Sequence, residues 1–280
     1  LKASFSRALP LRRPLATAQA RRFAVQPLLK RAAKGLFRRF SHNLLPSSCS
    51  FCLTPLQHSA GALCHLCIAQ LPRLTTQCLR CAVPLASNAL CANCQLTPPS
   101  YRNCISAFHY QAPVDNIILR LKGDPYTTEI KQLCALLAER IATTYQNTQV
   151  PCPQTIIPLP LHWLKMTKRG FNQSHIIGSL VADYLDTEHH ISAEIRQDFC
   201  RRIVKGQDQH LLSAKKRLTS IKNAFIAEAK DLNGLSVAVV DDVVTTGATA
   251  NSVAKALLQA GVAQVDIWSI ARTSWNNSTG

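Results

Sequence analysis

Beyond residue 104 the apolar positions of this chain switch repeatedly between the period of a strand and that of a helix, which predicts an α/β domain built on a mostly parallel sheet. Residues 105–111 alternate and read as a strand. Val114, Ile117, Ile118 and Leu121 then share one helical face that ends at Gly123-Asp124, and Ile130, Leu133, Cys134, Leu137 and Ile141 make a second such stripe. Residues 155–159 form a short apolar run interrupted by Pro158 and bounded by Pro160, a buried strand, and residues 174–185 read as the next helix. Farther on, 209–217 reads as a basic surface helix and 224–227 as a strand. Val237, Ala238, Val239 and Val240 make a buried parallel strand, with a helix over 251–259 close behind.

Length and composition suit this plan. At 280 residues and 47% hydrophobic, the chain can bury one sizeable α/β core and still carry a smaller module. No run of 18 apolar residues occurs, so no membrane insertion is expected. The formal net charge of +17 is concentrated at the front: residues 1–114 hold 14 Lys/Arg and no Asp/Glu, whereas the rest holds 18 against 15 acids. Such an excess attracts nucleic acid or an anionic surface. Eleven of these cations lie in residues 1–40, where arginines break every apolar run and exclude a secretory signal. This leader, residues 1–45, is expected to be disordered or extraneous to the native protein, with organellar targeting and polyanion binding as the alternatives.

The cysteines change the picture more. Of twelve, eight form four CxxC pairs, Cys49/Cys52, Cys64/Cys67, Cys78/Cys81 and Cys91/Cys94, with 11, 10 and 9 residues between successive pairs. One tight turn aims both thiolates of a CxxC at a single ion, and two such knuckles complete a tetrahedral S4 site, so eight ligands suit two structural Zn2+ ions. Pairing first with second and third with fourth closes the shortest loops; a cross-braced arrangement stays open. Regular repetition weighs against redox or free structural thiols and points to a reducing, cytoplasmic setting. Cys104, Cys134, Cys152 and Cys200 stand alone and read as ordinary buried residues. His58 and His65, beside the knuckles, are each able to replace a thiolate, though a solvated role suits them better. A module this poor in aliphatic anchors depends on metal to fold.

Residues 237–249 (VAVVDDVVTTGAT) carry the sharpest chemistry. Asp241 and Asp242 follow the apolar run directly, and Thr245, Thr246, Gly247, Ala248 and Thr249 lead towards the helix. A loop at the carboxyl end of a parallel strand lies in the crevice where open α/β sheets bind ligands. Its small residues let backbone amides approach a phosphate, its hydroxyls add donors, and the helix dipole favours the anion. Two adjacent carboxylates accept hydrogen bonds from the vicinal hydroxyls of a ribose and hold Mg2+ directly or through water. An ordinary strand end or a receiver-type acidic pocket would not explain the hydroxyl loop abutting the acid pair. Neither a GxxxxGK[ST] nor a GxGxxG motif occurs.

A second segment gains meaning beside the first. Pro158, Leu159 and Pro160 make a proline-bounded turn, followed by Lys165, Lys168, Arg169, Gly170, Phe171, Asn172 and Gln173. Alone, a solvated basic loop explains this stretch as well as a site does. Next to a phosphosugar loop, its cations and amides suit a leaving pyrophosphate, with Arg169 the best single candidate.

The 237–249 run closely resembles the phosphoribosyl diphosphate (PRPP) signature of the type I phosphoribosyltransferases. Over residues 46–273 the chain resembles, more specifically, the ComF family of competence proteins, which includes GntX-like members. After the paired knuckles come Leu121-Lys122-Gly123-Asp124, residues 158–162 (PLPLH), 169–173 (RGFNQ), Gln209, Leu212, Ser213 and Arg217 with Ala224-Phe225, and finally 240–249, in the family's order. Lys165 stands where the family usually has arginine, Ser220 where it often has asparagine, and the leader lies outside the resemblance. What the resemblance implies is a type I phosphoribosyltransferase-like domain over residues 105–280, a mostly parallel sheet flanked by helices, preceded by a double zinc-ribbon module at 46–104. It also implies a role in natural transformation, handling incoming DNA.

Three kinds of function fit. A transferase would bind PRPP with Mg2+, Asp241 and Asp242 taking the ribose hydroxyls, residues 245–249 the 5′-phosphate, and Arg169 with the 158–160 turn the pyrophosphate. A non-catalytic module would hold a phosphoribosyl group or the 5′ end of single-stranded DNA, with Tyr101, Phe108 and Tyr110 either as stacking surfaces or, more simply, as core. A scaffold would dock onto a helicase or another uptake protein through the zinc module.

Overall fold

The computed structural model describes residues 48–56, 61–125, 127–161, 163–197, 199–202, 225–227 and 232–274. The leader, His58, His162, Ala224 and the basic 209–217 segment lie outside these residues. The chain divides into two packing units, residues 1–48 with 55–58, and residues 49–54 with 59–280. In the first, Ser48 and Pro55 form an isolated antiparallel bridge.

Two one-turn helices, α1 (His65–Ala69) and α2 (Ala92–Leu96), belong to the cysteine module. Then follow β1 (Cys104–His109), α3 (Val114–Leu121), α4 (Thr128–Thr148), β2 (Thr155–Pro158), α5 (Trp163–Arg169), α6 (Gln173–His189), β3 (Glu194–Ile195), β4 (Cys200–Arg202), β5 (Phe225–Ala227), β6 (Ser236–Val244), α7 (Ala248–Gln259) and β7 (Gln264–Arg272). Five strands make one sheet in the order β1-β7-β6-β2-β3, every pairing parallel, while β4 and β5 form a separate antiparallel pair. The expected architecture, a parallel sheet flanked by helices, is what forms.

The strands at the centre are apolar on both sides because both faces are covered. Helices α4 and α6 pack against each other and over one face. On the other, Val237 and Val239 of β6 and Val265 and Ile267 of β7 join Val253, Ala254 and Leu257 of α7 in one buried cluster. That cluster also contains Leu74, Cys78, Cys81, Val83, Cys94 and Tyr101, so the cysteine module completes the core on this face. The module covers the sheet's edge as well. The amide of Leu74 donates to the Ala107 carbonyl at 3.0 Å and that of His109 to Pro72 at 2.9 Å, and Arg73 bridges Phe108 antiparallel to β1. An edge strand left open would be free to pair with another chain.

Some boundaries differ from the hydropathy reading for physical reasons. β6 runs on through Asp241 and Asp242 to Val244, because β7 is long enough to keep pairing, with Val244 opposite Arg272. Residues 163–169, read as part of a basic loop between the proline turn and the next helix, form helix α5, whose last turn carries Lys168 and Arg169 where cations suit the helix dipole. β7 escapes the period-2 test because it is buried at nearly every position, including Asp266 and Ser269. Asp266 is tolerated there because it accepts a hydrogen bond from Tyr145 Oη at 2.6 Å and pairs with Arg102.

Candidate functional site

The connection after β6 leads through α7 to β7, towards one edge of the sheet, whereas that after β2 leads through α5 and α6 to β3, towards the other. β2 and β6 are neighbours, so their carboxyl ends flank the point where strand order reverses, the place where such sheets hold ligands. The two segments singled out above, 158–173 and 241–249, both leave the sheet there.

A chain of hydrogen bonds joins them. The amide of Leu159 donates to the Val240 carbonyl at 2.9 Å. Asn172 Nδ2 donates to the Leu159 carbonyl at 3.0 Å, while Asn172 Oδ1 caps α6 by accepting from the Ser174 amide at 3.0 Å. Ser174 Oγ in turn donates to Asp241 Oδ1 at 3.2 Å, which also accepts from the Asp242 amide at 2.9 Å. Asp242 Oδ1 accepts from the amide of Val243 at 2.8 Å. Burial, and after it the charge of Asp242, pushes the Asp241 carboxyl well above the usual carboxylate range, although its bonds from the Asp242 amide and Ser174 pull the other way. A cation or hydroxyl donors placed here would favour the ionised form of Asp241.

The loop has the openness a ligand requires. Thr245, Thr246 and Ala248 are exposed, and Gly247 and Thr249 half-buried. Gly247 takes a left-handed φ of 77° as the N-cap of α7, and a Cβ there would come within 3.3 Å of Tyr101 Oη. Thr246 Oγ1 accepts from the Ala248 amide at 3.3 Å. Pro158 pairs with Val240, and Pro160 is half-buried beside it in sequence. Arg169 is half-buried at the end of α5; among the described residues no ion pair joins it to Asp241 or Asp242. Gly170 follows with a φ of 74° and open space around it. Gln173 is 97% enclosed, its residual exposure being 3%, and its Nε2 has no hydrogen-bond partner.

Two participants escaped the sequence reading. Ser174 was legible only as a helix residue. Arg272 could have been noticed as a lone cation closing the apolar run 264–272; it is fully buried and bonds to the carbonyls at the exit of β6. Tyr101 takes the simpler of the two roles considered for it, core, 2% exposed and lying against Gly247. Phe108 is likewise buried, and Tyr110 half-buried.

The eight paired cysteines gather into two sets, Cys49/Cys52/Cys64/Cys67 and Cys78/Cys81/Cys91/Cys94, with the sulfurs of each set within 4.8 Å of one another. This is the in-order pairing, and no cross-braced set forms among the described residues. His65 belongs to neither. In the first set burial raises the Cys49 thiol but the amides of Cys52, Cys64 and Phe51 bring it down to about 6, whereas burial and its sulfur neighbours push Cys67 up to about 12. In the second, burial is again outweighed by the amides of Cys91, Cys81 and Arg80, which bring Cys78 to about 7, while Cys94 is pushed up. Four converging sulfurs, with amides aimed at one of them, are the donor set and environment that suit Zn2+, whose charge removes the mutual repulsion of the thiolates. The lone cysteines Cys104, Cys134 and Cys200 are buried and Cys152 half-buried.

Comparison with known proteins agrees with the two cysteine sets. Residues 40–95 match the double zinc ribbon domain family. The chain is 30% identical over 230 residues to the DNA utilization protein YhgH of Salmonella typhi, covering 82% of this chain and 98% of that protein. It is 30% identical over 233 residues to competence protein F of Haemophilus influenzae, covering 82% and 99%, and 25% identical over 209 residues to competence protein ComFC of Bacillus subtilis, covering 71% and 79%. Among solved structures it is similar to Trypanosoma cruzi hypoxanthine phosphoribosyltransferase at 17% identity and a TM-score of 0.33, over 51% of this chain and 64% of that one, too distant a likeness to argue from. Fold and site define a double-zinc-ribbon protein with a parallel α/β sheet and an acid pair at its switch point. The chain belongs to the ComF family, the group of competence protein F and its relatives.

Proposed function

We propose that the pocket at the carboxyl ends of β2 and β6 binds the ribose 5-phosphate group of PRPP, and that the chain uses it in DNA uptake. The observation that carries this reading is the Asp241–Asp242 pair, held by Ser174 and by backbone amides, two residues before a largely exposed hydroxyl and glycine loop that opens α7. In this reading Asp241 and Asp242 accept from the ribose hydroxyls, and Thr245, Thr246, Gly247, Ala248 and Thr249 wrap the 5′-phosphate. The turn Pro158, Leu159 and Pro160, with Arg169, Gly170, Asn172 and Gln173, faces the diphosphate. The acid pair fits a divalent cation, since a positive charge there would offset the burial and the neighbouring Asp242 charge that push the Asp241 carboxyl up. Mg2+ bound with PRPP supplies neutralisation of the diphosphate.

As a transferase the protein would break the bond between ribose C1 and pyrophosphate, which leaves, while the nucleophile of an acceptor molecule forms the new bond to C1; fixed charge around the pocket would stabilise the cationic sugar in between. The role in DNA uptake is taken from the relatives named competence protein F and ComFC. They also favour a second reading, in which the pocket holds a nucleotide end of single-stranded DNA without turnover and the zinc ribbons dock a helicase or other uptake protein. Among the described residues no helix is long and apolar enough to cross a membrane, and a cytoplasmic setting suits the thiol-rich module.

The test is calorimetric titration of the zinc-loaded protein with Mg2+ and PRPP, coupled to a pyrophosphate assay. Asp241→Ala and Asp242→Ala are each expected to weaken PRPP binding roughly 100-fold, the order of effect of losing charge-assisted hydrogen bonds. Unchanged PRPP binding in both variants would sink the reading. Binding without pyrophosphate release favours the non-catalytic version.

A further inference from the structure

One buried side chain ties the second cysteine cluster to the loop. Arg272 closes β7 and is fully buried. On one side its Nε donates to the carbonyl of Cys81 at 2.9 Å. On the other its Nη1 donates to the carbonyls of Val244 at 3.1 Å, of Thr245, and of Thr273 at 3.2 Å. Cys81 belongs to the second metal set, and Val244 and Thr245 are the exit from β6 into the loop. Two contacts run alongside. The Ser100 amide donates to Asn251 Oδ1 in α7 at 2.6 Å, and Tyr101 Oη lies against Gly247.

Arg272 has no carboxylate partner among the described residues. A Zn2+ ion held by four thiolates carries a net charge of about −2, so the loaded cluster is itself the anion that a buried guanidinium beside Cys81 would balance. The rigid planar fork of arginine then sets the angle between the knuckle carbonyl and the carbonyls at the loop's root, which a lysine could not do.

We propose that Arg272 is a positioning residue linking the second zinc site to the loop: metal at Cys78, Cys81, Cys91 and Cys94 fixes the Cys81 carbonyl, and Arg272 carries that constraint to Val244 and Thr245, shaping the anion cradle. The consequence for ligand affinity rests on the phosphate reading above; the mechanical link does not.

The experiment uses the full zinc-loaded chain and compares the native protein with Arg272→Met and Arg272→Lys. It reads zinc content, amide hydrogen exchange over residues 243–249, and affinity for ribose 5-phosphate. Both variants are expected to keep both zinc ions, to exchange the loop amides roughly tenfold faster, and to bind ribose 5-phosphate roughly tenfold more weakly, the effect of one to two lost hydrogen bonds. Cys91→Ser, which releases the second zinc, should speed loop exchange in the native background and add little in the Arg272→Met background, the non-additivity of one shared path. Cys52→Ser, in the first site, should leave the loop unchanged. Should Arg272→Met fail to fold, chelator titration of the native chain reads the same link: loop protection falling with the second zinc supports it, and protection surviving that loss overturns it. Native loop exchange in both Arg272 variants, or additive effects of Cys91→Ser and Arg272→Met, also overturns it. If native protein takes no ribose 5-phosphate while loop exchange responds as stated, the phosphate reading fails and the link stands.

Discussion

The two cysteine clusters have the same ligands and nearly the same spacing, yet they occupy different positions in the fold. In the first, Cys52 is exposed, Cys64 and Cys67 are half-buried, and the neighbouring Leu53 and Leu66 face solvent. In the second, Cys78, Cys81 and Cys94 sit within the cluster that also contains Val239, Val253 and Ile267. The second ribbon is therefore part of the α/β core, and its removal would open the face of the sheet behind the loop. The first is anchored more lightly; Gly61 approaches Gln132 of α4 so closely that a Cβ would come within 2.7 Å of its Oε1. A repeated motif need not repeat a role. What a zinc knuckle does is set by the surface it is folded against.

The largest expected difference is in stability. Cys94→Ser should lower the thermal midpoint by on the order of 10 °C or more, since a structural zinc contributes several kcal/mol and a domain of this size loses about 2–4 °C per kcal/mol. Cys52→Ser should lower it by only a few degrees. Differential scanning calorimetry with zinc analysis checks this, and equal losses would erase the distinction.

A smaller effect is expected where the second module meets the loop. Gly247→Ala places a side chain at a left-handed φ and against Tyr101 Oη, a cost of about 1–2 kcal/mol by urea denaturation. Removing that oxygen with Tyr101→Phe should restore part of the loss, while leaving the backbone strain.

The smallest concerns thiol chemistry after zinc is stripped. The Thr54 hydroxyl and amide hold the Cys52 thiol below its usual value of 9.0, and the residue is exposed. Alkylation should therefore start at Cys52. Its rate should rise with pH through a midpoint below that of an ordinary thiol, because the thiolate is the reactive form and the lowered pKa fills it earlier. Thr54→Val should move that midpoint up. Burial pushes Cys104 and Cys200 each up to about 12, so both should stay unmodified while the fold persists. Mass spectrometry of the alkylated peptides reads all three sites.

Much of this protein was legible in one dimension. The CxxC repeats, the helical stripes at 114–121 and 130–141 and the run into Asp241 and Asp242 depend on spacings of a few residues, which local backbone geometry turns directly into knuckles, helices and a strand end. Other features came from contacts between distant segments. β7 is buried at nearly every position, so no periodicity announced it. The Asn172–Ser174–Asp241 connection spans 67 residues between Ser174 and Asp241, and Arg272 meets Cys81 across 191. The sequence alone determined which residues could hold zinc, and that an acid pair and a hydroxyl-rich loop stand between one strand and the next helix. Only the tertiary structure decided that the second zinc site and the loop share one buried guanidinium, because hydrogen bonds between distant segments exist only once the parallel sheet has placed the ends of β6 and β7 side by side.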